Sequence, residues 1–226
     1  MNKYFKGIGE GIRMIEARGW FIRKGNNIFR TQAYLQWGNS TTTLGTVLML
    51  NPGNAKLHSY ELIENEYTEG IIDLDPTMKR LIELIQQMYQ DKALEGRVYI
   101  YNLFTLRNPK SKEALAEFNY IYQIDKELLC GFPKEREEFI KEIKQTPWFL
   151  IGWGCGEDTE RLREEKEKWL QLIKEANVPI LGKKGISKYA WYHPRPQLVA
   201  DQIMYREYII KQYQQLIERQ PILDQS

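Results

Sequence analysis

Three apolar runs in this chain end on residues able to hold a substrate. LML closes on Asn51-Pro52-Gly53, RVYIYN closes on Asn102 before Leu103-Phe104, and FLI closes on Gly152-Trp153-Gly154. A fourth element, Tyr192-His193-Pro194-Arg195-Pro196, follows the weaker run VPILG. Each alone is ordinary, since Asn-Pro-Gly is turn chemistry and a strand-ending asparagine often caps the next helix. Four such ends in alternation with helical segments point to one site, because ligands of parallel α/β sheets gather beyond the carboxyl ends of the strands.

The residue types suggest which chemistry. Asn51 can orient a water molecule but cannot act as a strong base. His193, one of only two histidines, is the better electrostatic candidate: a donor aimed at developing negative charge lowers a barrier by about 3 kcal/mol. The alternative is a histidine bonded to backbone in a proline-rich turn. Asn102 carries a donor and an acceptor on one planar amide, which suits the Watson–Crick edge of an extruded base, or it caps a helix. Phe104 or Trp153 could stack on that base, although aromatics ending core strands more often pack.

Charge is distributed unevenly along a chain whose formal net charge is only +2. Between residues 178 and 200 there is no acidic side chain, while Lys183, Lys184, Lys188 and Arg195 interleave with Tyr189, Trp191 and Tyr192. Basic and aromatic groups in that arrangement suit a distorted nucleic-acid strand; the alternative is a loop solvated by lysines. Residues 57–75 are acidic instead and read as a lid or an exposed insertion. Asp75 at its end could serve as a general base, but Asp before Pro76 needs no role beyond capping the following helix, and the cap is preferred.

The positioning elements follow from pattern. Alternation in GWFIRKGNNIFRTQAYLQW around Gly25-Asn26-Asn27 predicts a hairpin, and the apolar runs at 46–50, 97–102, 148–154 and 178–182 predict strands covered on both faces. PTMKRLIELIQQMYQ, EDTERLREEKEKWLQLIKEA and QLVADQIMYREYIIKQYQQLIER are amphipathic helices. The expectation is an α/β three-layer sandwich with a central, mainly parallel four-stranded sheet and an N-terminal β-hairpin. A single domain is expected: 1–44 a hairpin extension, 45–200 the core, and 201–226 a C-terminal helix. With 226 residues and 42% apolar content, the chain can bury one substantial core. No run approaches the ~20 apolar residues of a membrane span, and residues 1–11 lack the apolar stretch of a signal peptide. A cytoplasmic protein with no membrane partner, acting as a monomer, is therefore expected. Cys130 and Cys155 lie in no C-x-x-C, so neither a metal site nor an iron–sulfur cofactor is expected, and no other cofactor is called for.

In this order the motifs resemble the uracil-DNA glycosylase superfamily. Leu50-Asn51-Pro52-Gly53 is similar to the first motif of its mismatch-specific branch, Pro76-Thr77-Met78 to the opening of the next helix, and RVYIYN to the base-reading strand. FLIGWG is similar to the apolar strand ending in Trp-Gly, and His193-Pro194-Arg195-Pro196 to the late His-Pro-Ser-Pro motif. Asp75-Pro76-Thr77 and Asn102-Leu103-Phe104 resemble more closely still an uncharacterised bacterial and phage family. The resemblance covers about residues 45–200 and implies the glycosylase fold. By it, Asn51 would hold the attacking water, Pro52 and Gly53 would flank the base, Asn102 would read its edge, and Gln197 or Leu198 would supply the wedge that enters the duplex. The family's serine is Arg195 here, which turns a hydroxyl contact to phosphate into a cationic one. The implied activity is a monofunctional DNA glycosylase acting on a flipped, modified base, such as a phage-type hypermodified pyrimidine, in DNA repair or anti-phage defence. Two alternatives stand beside it: a nucleic-acid or nucleotide binding module without catalysis, and an N-glycosidase of free nucleosides or nucleotides.

Overall fold

In the computed structural model, residues 15–58, 61–90, 93–108, 110–131, 135–156 and 158–219 are described. Residues 1–14 of the expected hairpin extension and 220–226 of the expected last helix lie outside them. Two long strands, β1 (Ile15–Lys24) and β2 (Asn27–Trp37), pair antiparallel around a turn in which Gly25 takes φ +58°, a left-handed conformation that glycine adopts freely. Then follow β3 (Thr43–Met49), β4 (Tyr67–Ile71), α1 (Pro76–Met88), β5 (Gly96–Asn102), α2 (Ser111–Ile124), α3 (Lys126–Leu129) and α4 (Arg136–Ile143). The chain continues through β6 (Phe149–Ile151), α5 (Glu160–Ala176), β7 (Ile180–Leu181) and α6 (Val199–Arg219).

These strands form one mixed sheet of seven in the order β4-β1-β2-β5-β3-β6-β7. β3 pairs parallel with both β5 and β6, and β6 pairs parallel with β7, whereas β2, β1 and β4 extend the sheet antiparallel. The sheet is therefore larger than the four strands expected, and the hairpin is part of it. β2 joins along Ala33↔Ile100 to Trp37↔Gly96, because the inward side chains Ala33, Leu35 and Trp37 continue the apolar surface of Val98 and Ile100. β4 corrects the reading of residues 57–75 as a lid or insertion. It is an exposed edge strand, and Leu57, Ile72 and Leu74 beside it are buried in the core.

Helices cover both faces. Val47, Met49, Val98, Ile100 and Leu150 point into one core with Met78, Leu81 and Ile85 of α1 and Tyr205 and Ile209 of α6. Leu48, Phe149 and Ile151 point into the other with Phe118 of α2 and Trp169 and Leu172 of α5. The alternation is the period-2 pleat of strands buried on both sides. α1 starts where expected: the Asp75 carboxylate accepts from the Met78 amide at 2.8 Å, and Pro76 opens the first turn. α5 is less simply amphipathic than its charge pattern implied, because Glu165 and Lys166 are buried and Lys166 is paired with Asp158 at 2.6 Å. No helix among the described residues is long and apolar enough to cross a membrane.

Gly45 in β3 lies against the buried Trp148 indole, where any Cβ would overlap the ring. Gly45→Ala is expected to cost about 1–3 kcal/mol by overpacking, seen as a lower urea midpoint at unchanged denaturant slope.

Candidate functional site at the carboxyl edge of the sheet

Because β5, β3, β6 and β7 run in one direction, their carboxyl ends share one edge of the sheet, and the segments carrying Asn102, Asn51, Trp153 and His193 all leave from it. Asn51 is half-buried. Its amide nitrogen donates to the Asn108 carbonyl at 2.7 Å, and its Oδ1 takes no bond from a described residue. That arrangement leaves an acceptor free to hold a water hydrogen. Pro52 is buried, and Gly53 turns the chain with φ +64°. A Cβ on Gly53 would lie 3.4 Å from Asp75 Oδ2, so the chain here passes close beside the carboxylate.

Asp75 lies close to this edge. One oxygen caps α1, and its charge acts on both Arg30 and His193, favouring their protonated forms. The cap and a role in the site are therefore not exclusive, because the two carboxylate oxygens do different things.

His193 is half-buried, and Nδ1 lies 3.1 Å from the Arg195 amide nitrogen and 3.2 Å from its carbonyl oxygen. The amide always carries a hydrogen, so the tautomer that avoids opposing two hydrogens has Nδ1 as acceptor and the proton on Nε2. Burial lowers the imidazole pKa below its ordinary 6.5, against the raising effects of the Arg195 backbone and Asp75. A neutral ring with a free Nε2–H is a donor ready for developing negative charge. The loop reaches this position because Gly152 lacks a side chain: a Cβ there would lie 2.6 Å from the Pro194 ring.

The structure adds a residue that sequence reasoning missed. Arg30 is 2% exposed and donates from Nη2 to Asn102 Oδ1 at 2.9 Å, while Asn102 is itself 5% exposed. Arg30 Nη1 and Asn102 Nδ2 are buried and make no bond to a described residue. Burial pulls the Arg30 pKa down to about 10, which Asp75 opposes and Arg107 reinforces; the group is still charged at neutral pH. Arg107, also missed, donates to the Asn54 carbonyl and side-chain oxygen at 3.4 and 3.3 Å. Strict alternation from Ala33, Leu35 and Trp37 would turn residue 30 to the opposite face. A bulge intervenes: Trp20 pairs with Gln32 but Phe21 pairs with Arg30, which leaves Thr31 over and carries the guanidinium onto the face of α1. Nothing in the strand NIFRTQAYLQW singled it out, because Asn27, Thr31, Gln32 and Gln36 are polar as well.

Other expected positions fall elsewhere. Phe104, fully buried, packs on Phe118 at 5.0 Å in the opposite core, and Trp153, 2% exposed, donates to the Tyr189 carbonyl and packs edge-on to Trp191. Neither offers a face for stacking: the period-2 pleat that would keep residue 104 on the side of Asn102 ends with β5, and both rings pack into the core shared with α2 and α5. In the basic loop, Lys183, Lys184 and Lys188 lie over the rings of Tyr192, Trp191 and Tyr189 at 5.0, 5.2 and 4.7 Å. Glu167 of α5 reaches this loop, bonding Lys188 at 3.1 Å and accepting from the Tyr189 hydroxyl. The acid-free stretch of sequence thus acquires a carboxylate from a neighbouring helix. Arg195, Gln197 and Leu198 are exposed, Leu198 to 67%.

Among the described residues no three histidine, cysteine or acidic side chains come together as a metal site. Burial pushes the Cys130 thiol up to about 12 and raises Cys155 as well, so neither is a thiolate nucleophile at neutral pH. No family model matches this chain, and neither the curated proteins nor the solved structures yield a match.

The His193 shift has a signed consequence for stability. Its folded pKa lies below the unfolded value, so the unfolded chain binds more protons as pH falls through 6.5, and stability drops on that side. Urea titrations from pH 7.5 to 5 are expected to show a steeper loss for the wild type than for His193→Gln. The two proteins differ only at residue 193, so the difference isolates His193.

Proposed function

We propose that the carboxyl edge is the catalytic site of a monofunctional DNA glycosylase acting on a flipped base. The observation that carries this reading is the His193 imidazole, its Nδ1 accepting from the Arg195 amide, on the same edge as Asn51 Oδ1, with the Asp75 carboxylate beside Gly53 and within electrostatic range of the ring. Hydrolysis of an N-glycosidic bond develops positive charge on the sugar and negative charge on the departing base. In the proposed step Asn51 Oδ1 holds a water molecule, whose oxygen bonds to C1′ as the C–N electron pair leaves with the base. His193 Nε2–H stabilises that anion, and the water proton passes to the free oxygen of Asp75 or to the base. Asn102 and Arg30 contact the base edge. Lys183, Lys184 and Arg195 supply phosphate contacts, and Leu198 is the exposed apolar side chain available as a wedge. The parallel order β5-β3-β6-β7, with helices on both faces, supports the uracil-DNA-glycosylase-like fold that the sequence motifs resemble. A role in DNA repair or anti-phage defence in the cytoplasm accords with this activity.

Glu167 favours a second reading, because neutralising Lys188 shortens the basic strip and suits a free nucleoside or nucleotide held by fewer phosphate contacts.

Mass spectrometry of bases freed from normal and phage-modified duplexes, single strands and free nucleosides tests both. Release by the wild type is expected, with Asn51→Ala and His193→Ala each slower by about 10²–10³-fold, the scale of a lost transition-state donor. Unchanged release in both variants refutes the site. A wild type that frees no base yet binds DNA with a clear salt slope is a binding module.

A further inference from the structure

The bonding of Arg30 and Asn102 carries information about the ligand. A guanidinium has donors only, so Asn102 must turn Oδ1 toward Arg30 Nη2; the flipped amide would set donor against donor. The amide orientation is thereby locked, and Nδ2 faces away from the guanidinium. Both Nδ2 and Arg30 Nη1 are without a partner among the described residues, on side chains more than nine-tenths buried. Native proteins retain few such groups. Arg107 is near enough for its charge to oppose that of Arg30, and its Nε is likewise buried and unpartnered. Two unsatisfied donors on side chains bonded to each other, with the positive charge of Arg107 acting on them, call for an acceptor-rich ligand.

We propose that Arg30 makes this subsite donor-only, so that it reads a base edge with two adjacent acceptors: a carbonyl oxygen and an unprotonated ring nitrogen. Cytosine-type bases present that edge with O2 and N3, and guanine-type bases with O6 and N7. On a uracil-type base the ring nitrogen N3 carries a hydrogen, which would face another donor. A site built on hydrogen bonds rejects a mismatched analogue strongly, because its buried groups stay unpaired. Without Arg30 the Asn102 amide is free to rotate and offer both donor and acceptor, the pattern that suits uracil. Arg30 is thus the specificity-determining residue. The inference rests on the glycosylase reading and names its substrate class.

The test measures binding and does not depend on turnover. Short A·T duplexes each carry one non-hydrolysable 2′-fluoroarabino nucleotide bearing cytosine, guanine or uracil opposite an abasic site, alongside an unmodified A·T duplex. The wild type is expected to bind the cytosine or the guanine duplex at least about tenfold more tightly than the uracil duplex, and the two arms tell which source of the edge is read. Arg30→Gln, checked for folding by thermal melting, is expected to lose that preference. If it does not fold, Asn102→Asp, which removes the Nδ2 donor and keeps an acceptor for Arg30, is expected to lose it instead. Equal or tighter binding of the uracil duplex by the wild type overturns the proposal. So does binding of no test duplex above the unmodified one, or a preference that survives in the folded variant. A wild type that keeps the preference but frees no base refutes the glycosylase reading while the donor-only subsite stands.

Discussion

A guanidinium taken out of water at the edge of a sheet has to find acceptors, and the arrangement around Arg30 follows from that demand. The Asn102 side-chain oxygen Oδ1 meets it at 2.9 Å, and the Asp75 carboxylate supplies compensating charge. Two elements far apart in sequence are bound together by this. β2 must stay in register beside β5 for the bond to form, and α1 must begin where its capping carboxylate can act on the same region. The extra residue at Thr31 makes the approach geometrically feasible, since a regular β2 would present the side chain to the wrong face.

Asp75 shows how one residue serves local and tertiary ends together. Its Oδ1 satisfies an orphan amide at the start of α1, as the dipeptide Asp-Pro at a helix start requires. The second oxygen is then left beside Gly53, within electrostatic range of both Arg30 and His193. Loss of the carboxylate would therefore weaken the helix and remove the negative charge that offsets the buried cation, two effects that substitution alone does not separate.

His193 depends on different neighbours. Its protonation is set by burial against Asp75, its tautomer by the Arg195 amide, and its distance from β6 by the missing side chain of Gly152. Gln202 of α6 ties the same loop down by donating to the Pro196 carbonyl at 2.7 Å. The proline-rich turn is thus positioned from both ends, which is how an exposed segment holds an imidazole in one orientation.

What the sequence determined by itself was whatever depends on near neighbours. Apolar runs at 46–50 and 97–102, the Asp75 cap, the amphipathic stripe of α1 and the Gly25 turn each follow from pleat, periodicity or a single side chain's reach. Strand and helix alternation therefore also revealed that Asn51, Asn102 and His193 leave from one edge. Whatever depends on pairing across distance was decided only in the tertiary structure. The hairpin's place inside the sheet rests on a match between two apolar surfaces, and β4 has too little apolar character to announce itself. Arg30 turns inward because of a bulge that exists only when β2 lies against β1, Glu167 reaches the basic loop from a separate helix, and Phe104 and Trp153 are claimed by the core. Each reflects the same physical fact: burial and charge compensation are settled by whatever side chain arrives from elsewhere, and a linear pattern carries no record of that arrival.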